Sequence, residues 1–171
     1  MAPTTTYPRI KWLQTQDFEH YVRLGDSLTT DELKEYLKSK EHVPLAAWIE
    51  DESWPQTPRY ERLVGYALMA HHPGFIELTR LYVDPHYRNR GYGEVLLYHV
   101  VRRMKKEHPN VFTRVSEYDV ETQLFLSRRG FQAMSCDRQR QELLFRLDAG
   151  WVIESDRYMR LAQVYQTSQP Q

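Results

Sequence analysis

Between residues 93 and 104 the chain places Leu97, Val100, Val101 and Met104 at i, i+3, i+4 and i+7, which predicts one face of a helix. The cationic run RRMKK and Pro109 mark where it stops. Similar spacing of Phe18, Tyr21, Val22 and Leu28 predicts a helix over DFEHYVRLGDSL, residues 17–28. TTDELKEYLKSKEH (29–42) predicts a second, with Thr30 as N-cap, Asp31 and Glu32 in the first turn and Lys38 and Lys40 in the last. ETQLFLSRRG (121–130) is a short helix closed by Gly130.

Apolar and β-branched runs predict strands at PRIKWL (8–13), VPLAAWIE (43–50), RLVGYALMAH (62–71), FIELTRLYV (75–83), VFTRVSEY (111–118), FQAMSC (131–136) and ELLFRLD (142–148). The polar DESWPQTPRYE is a loop joining the second and third as a hairpin, and HHPG turns the third into the fourth. The order is strand, two helices, three strands, helix, strand, helix, two strands, which is an α/β chain with a mixed sheet. Residues 1–148 read as one domain. In 149–171, Tyr158, Leu161, Ala162 and Tyr165 at helical spacing suggest an added helix before a polar tail.

Composition narrows the partners. With 23 basic and 23 acidic residues in 171, no global field draws nucleic acid or an anionic membrane, so any anion site is local. The arginine groups RNR, RR and RQR read as solvated faces, and no nucleic-acid partner is expected. A lone cysteine, Cys136, excludes an internal disulfide and fits a reducing interior. MAPTTTYPRIKW lacks the basic-then-apolar pattern of a leader, and no apolar run approaches the ~18 residues of a membrane span. A soluble, cytoplasmic protein is expected. Adjacent His71 and His72 point apart on a strand, so no metal is expected either.

VDPHYRNRGYG (83–93) carries the most chemistry. It places Gly91 and Gly93 where an apolar strand hands over to a helix, although each glycine costs about 1 kcal/mol against alanine in a helix. Two readings are open: an ordinary helix start beside a basic loop, or a phosphate site made of helix N-terminal amides with glycines admitting a bulky anion. Arg88 and Arg90 could add charge-assisted bonds. The stretch lacks the Lys-Ser/Thr of a P-loop and the third glycine of the dinucleotide fingerprint.

Arg88-x-x-Gly91-x-Gly93, preceded by LYVDP and followed by EVLL, resembles the acetyl-CoA pyrophosphate loop of the GNAT family of N-acetyltransferases. The element order over roughly residues 8–148 is similar as well. The resemblance implies the GNAT acyl-CoA N-acyltransferase fold: a mixed sheet of about seven strands, splayed between strands 4 and 5, with helices on both faces. It implies acetyl-CoA as co-substrate. Backbone amides of Arg88, Asn89, Arg90, Gly91, Tyr92, Gly93 and Glu94 would hold the pyrophosphate, and Leu81, Tyr82 and Val83 would offer main-chain groups to the pantetheine arm and thioester carbonyl.

Glu77 lies fourteen positions before Gly91, where some members carry a general-base glutamate. Among Phe75, Ile76 and Leu78 such a carboxylate could be partly desolvated, the condition under which an acid takes up a proton near neutral pH. On residue type alone it reads equally as a solvent-facing strand position.

The family's second segment carries an asparagine, then a tyrosine that protonates the departing thiolate. Here Asp119 and Leu126 stand at those positions, ahead of Gly130 and Phe131. Asp119 can accept a bond from a pantetheine amide; Leu126 cannot donate a proton. Tyr118 and Ser127 are nearby polar residues, and the acid is left unassigned. Residues 25–35 and CDRQRQE would shape acceptor specificity by analogy of fold. The resemblance thus implies acetyl transfer by direct attack of a small-molecule or peptide amine in a ternary complex, by a monomer or homodimer. The alternative is an impaired acyl-CoA-binding module on the same fold.

Overall fold

A computed structural model describes residues 8–50, 61–104 and 108–148. Its strands are β1 (Arg9–Trp12), β2 (His42–Glu50), β3 (Glu61–His72), β4 (Phe75–Val83), β5 (Asn110–Ser116), β6 (Gln132–Asp137) and β7 (Glu142–Asp148). The helices are α1 (Phe18–Val22), α2 (Thr30–Leu37), α3 (Tyr92–Val101) and α4 (Val120–Ser127). All seven strands form one mixed sheet in the order β1-β2-β3-β4-β5-β7-β6, with β4 and β5 parallel. The element order is the one the sequence pattern predicts. The expected C-terminal helix lies outside the described residues, as does most of the expected loop after β2. No helix among the described residues is long and apolar enough to cross a membrane.

The chain falls into two compact units, Met1–Leu68 with Arg80–His99, and Met69–Thr79 with Val100–Gln171. In the first, Leu13, Tyr21, Leu33, Trp48, Tyr66 and Leu68 form the buried cluster. In the second, strand alternation sorts side chains cleanly. Ile76 pairs with Val111, Val111 with Leu147 and Thr113 with Phe145, all on one buried face. Phe75, Glu77, Phe112, Arg114, Leu144 and Arg146 alternate onto the other, which is half-buried to exposed.

Several helix boundaries differ from the sequence reading, among them the end of α3, which comes at Val101 and leaves Met104 outside the helix. The N-cap of α2 is Thr29 rather than Thr30: its Oγ1 accepts from the Glu32 amide at 3.2 Å, and Glu32 Oε2 accepts from the Thr29 amide at 2.8 Å. This reciprocal box needs a carboxylate three residues on. From Thr30 that position is Leu33, fully buried and without an oxygen. The helix also ends at Leu37, before Lys40. α1 is cut to five residues, because Gly25 turns left-handed (φ +68) and Asp26 and Leu28 bond to tyrosine and arginine side chains instead of continuing the helix.

α4 closes as expected at Gly130 (φ +90), with Gly130 N–H to the Ser127 carbonyl at 3.2 Å and Phe131 N–H to the Leu126 carbonyl at 3.1 Å. That is the two-bond Schellman closure, and its flanking side chains Leu126 and Phe131 are both buried.

The Thr29 cap gives a direct test. Thr29→Ala should cost about 1 kcal/mol in urea unfolding, whereas Thr30→Ala, one position into the helix, should stay within roughly 0.5 kcal/mol.

Candidate active site

β4 ends at Val83, and Asp84 caps a single 3-10 turn, Pro85–Tyr87, by accepting from the His86 amide at 2.9 Å. Two residues then take left-handed backbone, Asn89 (φ 62) and Gly91 (φ 87). Asparagine and glycine are the residue types that tolerate it. A Cβ on Gly91 would meet nothing within 4 Å, so backbone angle, not crowding, calls for glycine there, and the space above the loop is open. The Val95 amide bonds to the Gly91 carbonyl at 3.0 Å, which puts the start of α3 at Gly91 and the amides of Tyr92, Gly93 and Glu94 at the positive end of the helix.

Three arginines gather at this end of the same unit. Arg88 Nε donates to the Val83 carbonyl at 2.9 Å, and its guanidinium lies 5.6 Å from the Tyr82 ring centroid. Arg90 and Arg62 lie 5.0 and 5.3 Å from the Tyr87 ring. An exposed left-handed turn, a helix N-terminus and guanidinium groups held against aromatic rings form a setting for a phosphate-bearing ligand.

Beside this loop β3 and β4 approach closely. A Cβ on Gly65 would lie 2.7 Å from the Tyr82 carbonyl oxygen and 3.3 Å from Val83 Cα, so only glycine fits. The Asp84 amide bonds to the Val64 carbonyl at 2.8 Å. An isolated glycine within the strand pattern RLVGYALMAH was the sequence signal for this contact.

A buried polar cluster fixes the segment after α1. Asp26, with a side chain 3% exposed, accepts from Arg80 Nε at 2.7 Å, from Arg80 Nη2 and from the Tyr66 hydroxyl. Arg80 also donates to Ser27 Oγ at 2.8 Å and to the Tyr66 hydroxyl oxygen at 3.0 Å. Tyr82 donates to the Leu24 carbonyl at 3.1 Å, and Tyr21 to the Leu28 carbonyl at 2.6 Å. Burial drives the Tyr66 hydroxyl well above its ordinary value, and the Asp26 pair raises Arg80 further. For Asp26, burial pushes upward, but the bonds from Arg80 and Tyr66 outweigh it and hold the carboxyl below its usual range.

In the second unit Glu77 is about one third exposed, its side chain at 31%. Of the three apolar neighbours that sequence places around it, Ile76 and Leu78 point to the opposite, buried face and only Phe75 shares its own. Phe112, its pair on β5, lies on that face too, and two polar groups complete the surroundings. His72 Nε2 lies 2.9 Å from Glu77 Oε2, and Arg114 Nη1 lies 3.5 Å from Oε1. His72 is the member sequence reading passed over, because its link to Glu77 crosses the hairpin. Nearby, β4 and β5 pair at Ile76 with Val111 and Glu77 with Phe112, after which the buried Thr113 hydroxyl donates to the Leu78 carbonyl at 2.8 Å.

The segment from Asp119 to Phe131 is structurally committed. Asp119 Oδ1 accepts from the Thr122 amide at 3.0 Å and caps α4. Leu126 is 1% exposed. Tyr118 is 70% exposed, its hydroxyl accepting from Gln141 Nε2 at 2.8 Å, and Ser127 is exposed.

The model of the acetyltransferase (GNAT) family matches residues 8–131, more than half of the 171. The chain belongs to this family. The fold is similar to that of a GNAT-family protein from Desulfovibrio desulfuricans (22% identity, 83% of this chain and 99% of that one, TM-score 0.67). It is similar too to the PaiA N-acetyltransferase of Thermoplasma acidophilum in complex with coenzyme A (17%, 82% and 98%, 0.62). A third is Arabidopsis thaliana NAA60 in complex with a bisubstrate analogue (15%, 82% and 97%, 0.64). No curated protein matches the sequence.

The Asp26 cluster predicts a pH dependence. Its carboxyl titrates lower folded than unfolded, so its contribution is fully present above the unfolded value and is lost as pH falls through the folded one. Urea midpoints between about pH 6 and pH 3 should therefore fall with acid. Asp26→Asn should flatten part of that limb and lower stability at neutral pH by about 1 to 2 kcal/mol.

Proposed function

We propose that the chain is an acetyl-CoA-dependent N-acetyltransferase of the cytoplasm, acting by direct transfer to a primary amine, either a small molecule or a peptide. The observation that carries the reading is the left-handed turn at Asn89 and Gly91 leading into the N-terminus of α3, beside Arg88 and Arg90. In this reading the amides from Arg88 to Glu94 bind the pyrophosphate, the main chain of Leu81, Tyr82 and Val83 lies along the pantetheine arm, and Asp119 contributes to the same ligand. The coenzyme-bound relative supports acyl-CoA use. No metal takes part.

Acetyl-CoA supplies the acetyl group already activated as a thioester. The chain's own part is to seat both reactants, which removes much of the entropic barrier, and to manage the amine's proton. A primary amine is mostly ammonium at neutral pH and has no lone pair for attack until it gives up a proton. Glu77 is the group we assign to receive it. Backbone amides of β4, directed at the thioester oxygen, would stabilise the charge that develops there.

Release of free thiol on mixing the protein with acetyl-CoA and a panel of primary amines tests the activity. Turnover with at least one amine is expected, and coenzyme binding without turnover across the panel would replace this reading by that of an acyl-CoA-binding module. Glu77→Gln should lower kcat by roughly a hundredfold, leaving acetyl-CoA affinity within about twofold. Unchanged turnover would remove Glu77 from the chemistry. Arg88→Ala should act on the other reactant, weakening coenzyme binding about tenfold, or roughly 1.4 kcal/mol, as measured by calorimetry.

A further inference from the structure

His72 closes β3, and Phe75 opens β4 after a turn with Gly74 left-handed (φ +86), so a tight hairpin brings His72 and Glu77 onto one face. The His72 ring stacks on Phe75 at 4.8 Å with planes 19° apart, and Phe75 meets Phe112 edge to face at 5.4 Å. The imidazole is thereby held flat against a fixed aromatic pair. Its Nε2 lies 2.9 Å from Glu77 Oε2.

We propose that His72 is a positioning residue for Glu77, holding its carboxylate by an Nε2–H bond to Oε2 so that Oε1 is the oxygen presented to the acceptor amine. This rests on the reading of Glu77 as the base. Among the described residues the charged or titratable groups recorded against Glu77 are His72 from β3 and Arg114 from β5; those against His72 are Glu77 itself and the uncharged ring of Phe75. The Arg114 approach to Oε1, at 3.5 Å, is too long for a strong hydrogen bond and leaves that oxygen able to accept.

The physical need is orientation. A glutamate has three side-chain torsions, and a partly exposed one samples many rotamers unless something fixes it. A base out of place by about 1 Å can cost a hundredfold in rate. One bond from a stacked, rigid ring restricts the carboxylate without occupying both oxygens. The proton step balances simply. The ammonium N–H bond breaks, its electron pair stays on nitrogen for attack, an O–H bond forms at Oε1, and that proton later passes to water.

The test compares His72→Phe, which keeps a ring for stacking but has no donor, with His72→Gln, which restores an N–H of similar reach. Each is assayed with the best amine of the panel. His72→Phe should lower kcat by roughly tenfold to a hundredfold with KM for acetyl-CoA within about twofold, and His72→Gln should recover most of the loss. Wild-type kcat in His72→Phe, alongside an impaired Glu77→Gln, would overturn the proposal while leaving the base assignment intact. A loss in His72→Phe that tracks a lowered melting temperature and is not recovered by glutamine would overturn it too. Wild-type turnover in Glu77→Gln would instead remove the base reading on which it rests.

Discussion

A strand inside a sheet normally divides its amides and carbonyls between two neighbours, and β4 does so only in part. With β5 it forms the pairs Ile76–Val111 and Glu77–Phe112, and then the Leu78 carbonyl turns to the Thr113 hydroxyl. Farther along, the Val83 carbonyl accepts from the Arg88 side chain, and Gly65 lets β3 approach the Tyr82 carbonyl closely. Buried backbone groups must find partners somewhere, so a strand whose ladder is short recruits side chains to finish the task. Thr113 is such a side chain, and Arg88 does the same for a carbonyl at the exposed end of the strand. The same constraint explains why a glycine sits in the middle of β3, where strand propensity alone would place a β-branched residue.

The arginine and tyrosine network around Asp26 follows from a second shortage. α1 stops after Val22, so the backbone from Leu24 to Leu28 lacks a helical ladder, and its carbonyls are met by the hydroxyls of Tyr82 and Tyr21. Arg80 and Tyr66 then bind the Asp26 carboxylate that anchors the turn. The Asp26 carboxylate is thereby buried against the Arg80 guanidinium. Breaking such a pair leaves an uncompensated charge, so its cost of removal exceeds what it adds over an apolar replacement.

Much of this was legible in the sequence because it rests on short-range rules. The strand set, the order of elements, the Gly130 closure and the glycine turn into α3 all depend on residues within a few positions of one another. The boundaries that slipped depend on contacts made far along the chain. α1 ends early because Asp26 is taken by Arg80, fifty-four residues away, and no local pattern announces that bond. Thr29 against Thr30 was decidable from sequence, since the glutamate three residues on singles out one of them. Glu77 was singled out by its spacing to Gly91, with Ile76 and Leu78 expected around it; strand alternation sends both away, and the hairpin brings His72 instead.

Leu126 stands where the family resemblance implies a proton-donating tyrosine, and its setting explains what takes precedence. In the last turn of α4, it lends its carbonyl to the closure at Phe131, and both side chains are buried, a placement that favours an apolar residue. The chemical loss is smaller than it first looks. An alkyl thiol has a pKa of about 8.5, so a thiolate leaving at neutral pH lies only about 1.5 pK units, or roughly 2 kcal/mol, from its protonated form. An amine nucleophile is in a different position, since at neutral pH it stays protonated until a base intervenes. In a chain with leucine at this place, the proton that most needs managing is the one on the acceptor, and that is the role we propose for the Glu77 carboxylate.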